Sequence, residues 1–294
     1  MARSSSRSAQ RGRVIRRLTP SPRRLAPLAL GLLLVAVVAP GTLAARGGLP
    51  SSMASTGDSL TRAAGTGFFP WTDNPAGSWS TGTDPSVNSH YLRLLALNPK
   101  IRGKNYNDAR SGAKMGELAS QMDRVVSQRV DYVTVEMGGN DVCAANEASM
   151  TSVASYRAQF QAAMTRVTTG LPKAKVFVAS VPNIHHLWVL YHDDLAAQIA
   201  WAALGVCQSM LANPTSTAQT DVDRRARVLQ RVVDYNTALA EVCAQYRRCR
   251  YDGNAAFNAQ FTKADVIHLD YFHPSLSGQR KFADGTWPLS FWGS

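Results

Sequence analysis

A chain of 294 residues that is 45% hydrophobic is long enough to bury one sizeable core, and no composition break after about residue 50 argues for a second domain. The formal net charge of +12 suggests a nucleic-acid or membrane-surface partner, yet residues 1–44 hold eight Arg and no acid, leaving 24 basic against 20 acidic residues downstream. The basicity therefore belongs mostly to the leader, and nucleic acid is set aside as a partner of the rest.

That leader has an Arg-rich start from Arg3 to Arg24, an apolar run over residues 25–39, and then Pro40-Gly41-Thr42-Leu43-Ala44. Positive region, apolar core and small-residue exit are the order of a secretory signal, with cleavage expected after Ala44. An uncleaved membrane anchor over residues 25–45 is the alternative, since that stretch approaches the roughly 20 residues that span a bilayer, although Pro27 and Pro40 interrupt it. Arg23-Arg24 lacks the following residues of a convincing twin-arginine signal. The expected organisation is a signal peptide or anchor over 1–44 and one domain over 45–294, in a secreted or extracytoplasmic protein.

Residues 51–56 lead into Gly57-Asp58-Ser59-Leu60, and a helix is expected from Leu60 onward, which puts Ser59 near the positive end of a helix dipole. Residues 65–90 are rich in Gly, Pro, Ser, Thr and Asn and read as a long loop. Its aromatics, Phe68, Phe69, Trp71 and Trp79, either line an acyl or sugar pocket or cap the core beneath. Residues 90–97 read as a helix and 104–109 as a strand entering Arg110-Ser111-Gly112. Residues 115–126 have helical spacing, with Leu118, Met122 and Val125 on one face. A β-rich run over 132–136 ends at Gly138-Gly139-Asn140-Asp141, a helix follows over 152–167, and 174–179 is the clearest buried strand.

Residues 185–211 read as helical and carry His185, His186 and His192. A metal reading of these imidazoles is disfavoured, because their spacing to Asp193 and Asp194 matches no ligand pattern. A polar loop over 214–220 precedes a long amphipathic helix over 221–246, whose Arg residues form a solvated face. Strands alternating with helices argue for a parallel sheet with its ligand site beyond the carboxyl ends of the strands.

All four cysteines, Cys143, Cys207, Cys243 and Cys249, lie downstream of the leader, and an even count in an exported chain points to disulfides. Three pairings are possible. Cys243 and Cys249 are close enough to close a small loop, which leaves Cys143 with Cys207. No Cys-x-x-Cys spacing or nearby His supports zinc instead.

Four patches carry the chemistry: Gly57-Asp58-Ser59-Leu60, Ser111-Gly112, Gly138-Gly139-Asn140-Asp141, and Asp270-Tyr271-Phe272-His273-Pro274. Each alone could be an ordinary turn. In this order they resemble the four blocks of the SGNH, or GDSL-type, hydrolases, represented here by Ser59, Gly112, Asn140 and His273. The Gly-x-Ser-x-Gly elbow of α/β-hydrolases is absent around Ser59. The resemblance implies a three-layer, flavodoxin-like α/β/α sandwich with a central parallel sheet, acyl-ester hydrolysis, and no metal or organic cofactor.

A serine hydroxyl needs a base as it attacks an ester carbonyl, and an imidazole suits that task near neutral pH. His273 is the candidate base for Ser59, with Asp270 three residues earlier to orient its ring. His268, two residues before Asp270, is read as a strand-end residue or one behind the site. The family pattern makes the backbone N–H groups of Ser59 and Gly112 and the side-chain amide of Asn140 the oxyanion donors. Glycine at 112 is expected to let the backbone approach closely, and Asp58 and Asp141 to tie down their own turns. Pro274-Ser275 reads as a helix start that fixes the base loop.

The expected function is thus a secreted monomeric serine esterase acting on a lipid or short-chain acyl ester. The alternatives are a carbohydrate O-acetyl esterase and a non-catalytic relative that binds glycan or lipid at the cell surface. Membrane association would come from the N-terminal apolar segment.

Overall fold

The computed structural model describes residues 48–293. The leader, with its cleavage point and its reading as an anchor, lies outside the described residues. Among those residues no helix is long and apolar enough to cross a membrane.

Five strands form one sheet: β1 (Met53–Gly57), β2 (Asn105–Asn107), β3 (Tyr132–Glu136), β4 (Lys175–Val178) and β5 (Cys249–Tyr251). Their spatial order is β2-β1-β3-β4-β5, with every pair parallel. The interior strands β1 and β3 are buried at all five positions, as a sheet covered on both faces requires.

Period-2 alternation then sorts their side chains into two cores. Ala54, Val133, Val135, Val176 and Val178 face one side, against α2 (Leu118–Gln128), α4 (Val153–Gly170) and α8 (Gln219–Ala244). Met53, Tyr132 and Phe177 face the other, against α1 (His90–Leu97) and α9 (Leu276–Thr286) with Trp79, Trp287 and Trp292. The result is the expected three-layer α/β/α sandwich. The remaining helices are α3 (Gly139–Val142), α5 (Ile184–Tyr191), α6 (Leu195–Leu204) and α7 (Gln208–Leu211).

Two expectations are corrected, and one strand is added. No helix starts at Leu60: residues 59–65 are turns, closed by Arg62 N–H to Asp58 O at 3.1 Å and Ala64 N–H to Ser59 O at 3.0 Å, because Gly65 (φ +75°) bends the chain back onto Thr72. Ser59 therefore does not sit at a helix dipole. The single helix expected over 185–211 is three, since the Asp194 carboxylate caps Ala196 and Ala197 at 3.0 and 3.2 Å while Gly205 ends α6 at φ +64°. β5, unread in the sequence, pairs Cys249 with Val176.

The chain leaves β1 for β2 on one side and returns for β3 on the other, so the strand order reverses between β1 and β3. A crevice opens beyond their carboxyl ends at that switch point. Ser59 follows β1 by two residues, and α3 with Asn140 follows β3.

Candidate active site

Ser59 is almost wholly buried, at 8% exposure. Its turn is clamped from three sides. The Asp58 carboxylate accepts from Leu60 N–H at 3.0 Å, and Gln279 of α9 donates to the Leu60 carbonyl at 2.7 Å. The buried Gln121 side chain, from α2, accepts from Gly57 N–H at 2.7 Å and donates to Gly57 O at 2.9 Å, bracketing the peptide before the turn. Gly57 itself has φ +150° and faces the Glu136 carbonyl across the sheet, a position with no room for a Cβ.

Asp270 and His273 lie on a loop held by an antiparallel bridge between Val266 and Pro274. Ser275 caps α9 by accepting from Gly278 N–H at 3.3 Å, so the helix start anticipated at Pro274-Ser275 fixes this loop. The structure brings His273 Nε2 to 2.8 Å from Ser59 Oγ and His273 Nδ1 to 2.6 Å from Asp270 Oδ2. Asp270 Oδ1 accepts from the N–H groups of Phe272 and His273 at 2.9 and 3.0 Å. Burial alone would raise the Asp270 pKa, but the His273 hydrogen bond and charge and these two N–H groups outweigh it and hold the carboxyl below its usual range. His268 is exposed and stacks on Tyr271 with ring centroids 5.2 Å apart.

The Gly112 turn is fastened to both neighbouring blocks. Arg110 N–H bonds Gly57 O at 3.1 Å, and the Ala113 carbonyl accepts from Asn140 Nδ2 at 3.1 Å. Gly112 has φ +79°, yet a Cβ there would meet nothing within 4 Å. Glycine suits this left-handed backbone, and among the described residues no protein atom occupies the space a Cβ would take. Asn140 Nδ2 also donates to Asp58 Oδ2 at 3.3 Å. Asp58 ties down its own turn as expected, but Asp141 does not: it accepts from Met115 N–H at 2.8 Å and Thr151 Oγ1 at 2.8 Å, joining the second block to the third.

Two disulfides close as paired in the sequence, Cys143–Cys207 and Cys243–Cys249. The first joins the end of the Asn140 turn to the start of α7, where Ser209 Oγ donates to Val142 O at 2.6 Å.

Beside Ser59 opens a pocket walled by Ile184, Leu187, Phe261, Val266 and Phe272. These residues come from α5 and the 259–274 segment, and nothing in their local pattern announces a shared wall. His186 lines it with Nε2 2.8 Å from Phe261 O, while His192 stacks on Trp188. Among the described residues no cluster of three or more His, Cys, Asp or Glu could hold a metal ion. The loop aromatics divide: Trp79 is core, with its indole N–H on Thr61 Oγ1 at 3.2 Å, whereas Phe68, Phe69 and Trp71 are exposed and are not among the residues lining the pocket beside Ser59.

Two buried carboxyls meet at the floor. Burial, foremost, pushes Asp58 up to about 6, against the lowering pull of Leu60 N–H and the His273 charge. Burial and the adjacent Asp58 push Glu136 well above the carboxylate range.

A serine hydroxyl against an imidazole, that imidazole against a buried carboxylate, and an amide and glycine turn beside them form an arrangement that can carry out nucleophilic serine chemistry. Residues 55–286 match the family described as GDSL-like Lipase/Acylhydrolase. The chain belongs to that family, the SGNH/GDSL hydrolases, and is a carboxylic ester hydrolase. Among solved structures it is similar to a phospholipase A1 from Streptomyces albidoflavus NA297, at 17% identity and TM-score 0.50, covering 81% of this chain and 99% of that one. An extracellular lipase from Streptomyces rimosus matches at 18% identity and TM-score 0.48 over 81% and 99%. A family 3 carbohydrate esterase from Clostridium thermocellum matches at 16% and 0.44 over 81% and 94%. A search of curated protein sequences finds no match.

Proposed function

We propose that this chain is an exported serine esterase in which Ser59 attacks the ester carbonyl, His273 takes and returns the proton, and Asp270 holds the imidazole. The observation that carries this reading is the unbroken run of contacts from Ser59 Oγ through His273 to Asp270, 2.8 and 2.6 Å long, at the edge of an apolar pocket. As Oγ attacks, its proton passes to Nε2, and Asp270 stabilises the imidazolium that forms. The carbonyl oxygen becomes an oxyanion, received by the N–H groups of Ser59 and Gly112 and the Asn140 amide. His273 then gives the proton to the departing alkoxide. A water deprotonated by the same imidazole hydrolyses the acyl-serine.

The walls formed by Ile184, Leu187, Phe261, Val266 and Phe272 favour an acyl chain longer than acetyl, hence a lipid or medium-chain ester. Two disulfides and the Arg-rich, apolar leader support export. The test is turnover of p-nitrophenyl esters from acetate to dodecanoate, with Ser59→Ala as the inert control. A wild-type protein that cleaves none of them, or a fluorophosphonate label on a serine other than Ser59, refutes the assignment.

A further inference from the structure

The Asn140 amide has two hydrogens and three claimants. One hydrogen goes to Ala113 O at 3.1 Å, and the other points to Asp58 Oδ2 at 3.3 Å, longer than the 2.9–3.0 Å usual for such a bond. That second N–H is the one an oxyanion must recruit. How tightly Asp58 holds it depends on what else shares the Asp58 charge.

Glu136 is the residue placed to do so. It ends β3, sits opposite Gly57 in the sheet register, and is 1% exposed. It lines the pocket with Asp58, Ser59 and Asn140, near enough for the Asp58 charge to act on its carboxyl. Its Oε2 has no hydrogen-bond partner. Nothing in ester hydrolysis calls for a second buried carboxyl here, and an apolar side chain would fill the strand end without an unpaired oxygen.

We propose that Glu136 is a positioning residue of this site: its carboxyl donates a hydrogen bond to the Asp58 carboxylate, weakens the hold of Asp58 on Asn140, and so leaves the amide free to meet the oxyanion. The inference rests on the serine-esterase reading above. Two neighbouring carboxylates in a buried site are not both charged, so the pair keeps one proton at neutral pH; Asp58 accepts from Leu60 N–H and the Asn140 amide while Glu136 Oε2 accepts from nothing, which places the proton on Glu136. The charged groups facing Asp58 are His273, Asp141 and Glu136, and the one facing Glu136 is Asp58. Asp141 in turn faces Lys114 and Glu117. Among the described residues, His273 is the cation that faces Asp58, and it is charged only when protonated; none faces Glu136.

The experiment compares wild type, Glu136→Leu and Glu136→Gln on one p-nitrophenyl ester, with thermal melts alongside. Glu136→Leu removes the donor and lowers kcat by about 10- to 100-fold, with KM within about twofold, because only the transition state needs the freed amide. Glu136→Gln, whose amide can still donate, recovers most of that loss. Independently of turnover, the infrared difference spectrum of wild type minus Glu136→Gln at pH 7 contains the carbonyl band of a protonated carboxylic acid. A folded Glu136→Leu with wild-type kcat, a Glu136→Gln no better than Glu136→Leu, or a difference spectrum without that band overturns the proposal. Should Glu136→Leu not fold, the spectrum decides. A wild-type protein that hydrolyses no ester defeats the esterase reading instead, and the band still reports where the proton sits.

Discussion

Gly57→Ala adds one methyl group at the point where the nucleophile turn leaves the sheet. The added Cβ would lie 2.2 Å from the Glu136 carbonyl oxygen and 2.6 Å from Thr61 Oγ1. The first is backbone in the last register pair of β1 and β3, so relief requires parting the strands. Overpacking of this kind costs about 1–3 kcal/mol, and a backbone at φ +150°, which glycine alone adopts with ease, about 1–3 kcal/mol more. The sum of roughly 2–6 kcal/mol compares with a net stability of about 5–15 kcal/mol for a folded domain. At about 2–4 °C per kcal/mol, the melting temperature should fall by roughly 4–24 °C. Ser59 lies two residues on, and moving it by about 1 Å from His273 costs on the order of a hundredfold in kcat. Gly112→Ala is the control. It carries positive φ but meets nothing within 4 Å, so only about 1–2 kcal/mol of strain is expected. Scanning calorimetry and ester kinetics on both variants check the argument. A Gly57→Ala protein that melts with wild type and turns over normally, or one no worse than Gly112→Ala, refutes it.

Asn140→Ala should lower kcat by about a hundred- to a thousand-fold with KM little changed, read from initial rates over a substrate series. His273→Ala should abolish fluorophosphonate labelling of Ser59, whereas His268→Ala, at an exposed ring stacked on Tyr271, should leave the labelling rate unchanged within error. Removing Cys143–Cys207, which closes 64 residues, should cost about 4 kcal/mol in denaturant titrations, against about 2 kcal/mol for the six-residue Cys243–Cys249 loop. The pH dependence follows from Asp58, whose folded-state pKa of about 6 exceeds the unfolded value of 3.8. The folded state then holds the proton more tightly, so this group's contribution to stability is full below about 4 and is lost as pH rises through 6. Asp58→Asn should make the decline across pH 4 to 7 shallower in melting curves, the remainder coming from Glu136, whose folded-state pKa is also raised.

The site was legible in sequence to the extent that each residue's role follows from its own turn. Asp270 and His273 are three apart on one loop, and Ser59 ends a Gly-Asp-Ser motif, so the proposed roles could be read locally even though 214 residues separate His273 from Ser59. The strand Lys175–Val178 was legible for a related reason: a parallel strand covered on both faces favours a continuous apolar run, as in Val176-Phe177-Val178. β5 is Cys-Arg-Tyr at the sheet edge, with a pattern no different from a loop. The breaks between α5, α6 and α7 did have signals, in Asp194 as a cap and Gly205 as a stop, which the uninterrupted apolar pattern around them outweighed.

What could not be read is what depends on register and on contact between distant elements. Gln121 looks like one polar residue on an amphipathic helix, and only the seating of α2 against β1 turns its amide toward the Gly57 peptide. Gln279 is likewise an unremarked residue of α9 until its side chain accepts from Trp79 N–H at 2.9 Å and donates to Leu60 O. Glu136 ends a strand that reads as apolar, and its neighbour Asp58 lies 78 residues earlier in the chain; alternation puts its side chain on the face of Tyr132 and Thr134, but only the register opposite Gly57 brings it to the turn that carries Asp58. All three bind the first and third blocks to the layers around them rather than touching an ester. Four short motifs suffice to name the reaction, because the reacting groups are few and conventional. Holding those groups within a few tenths of an ångström is the work of the sheet register and of buried amides and carboxyls, whose meaning appears only once the strands are paired.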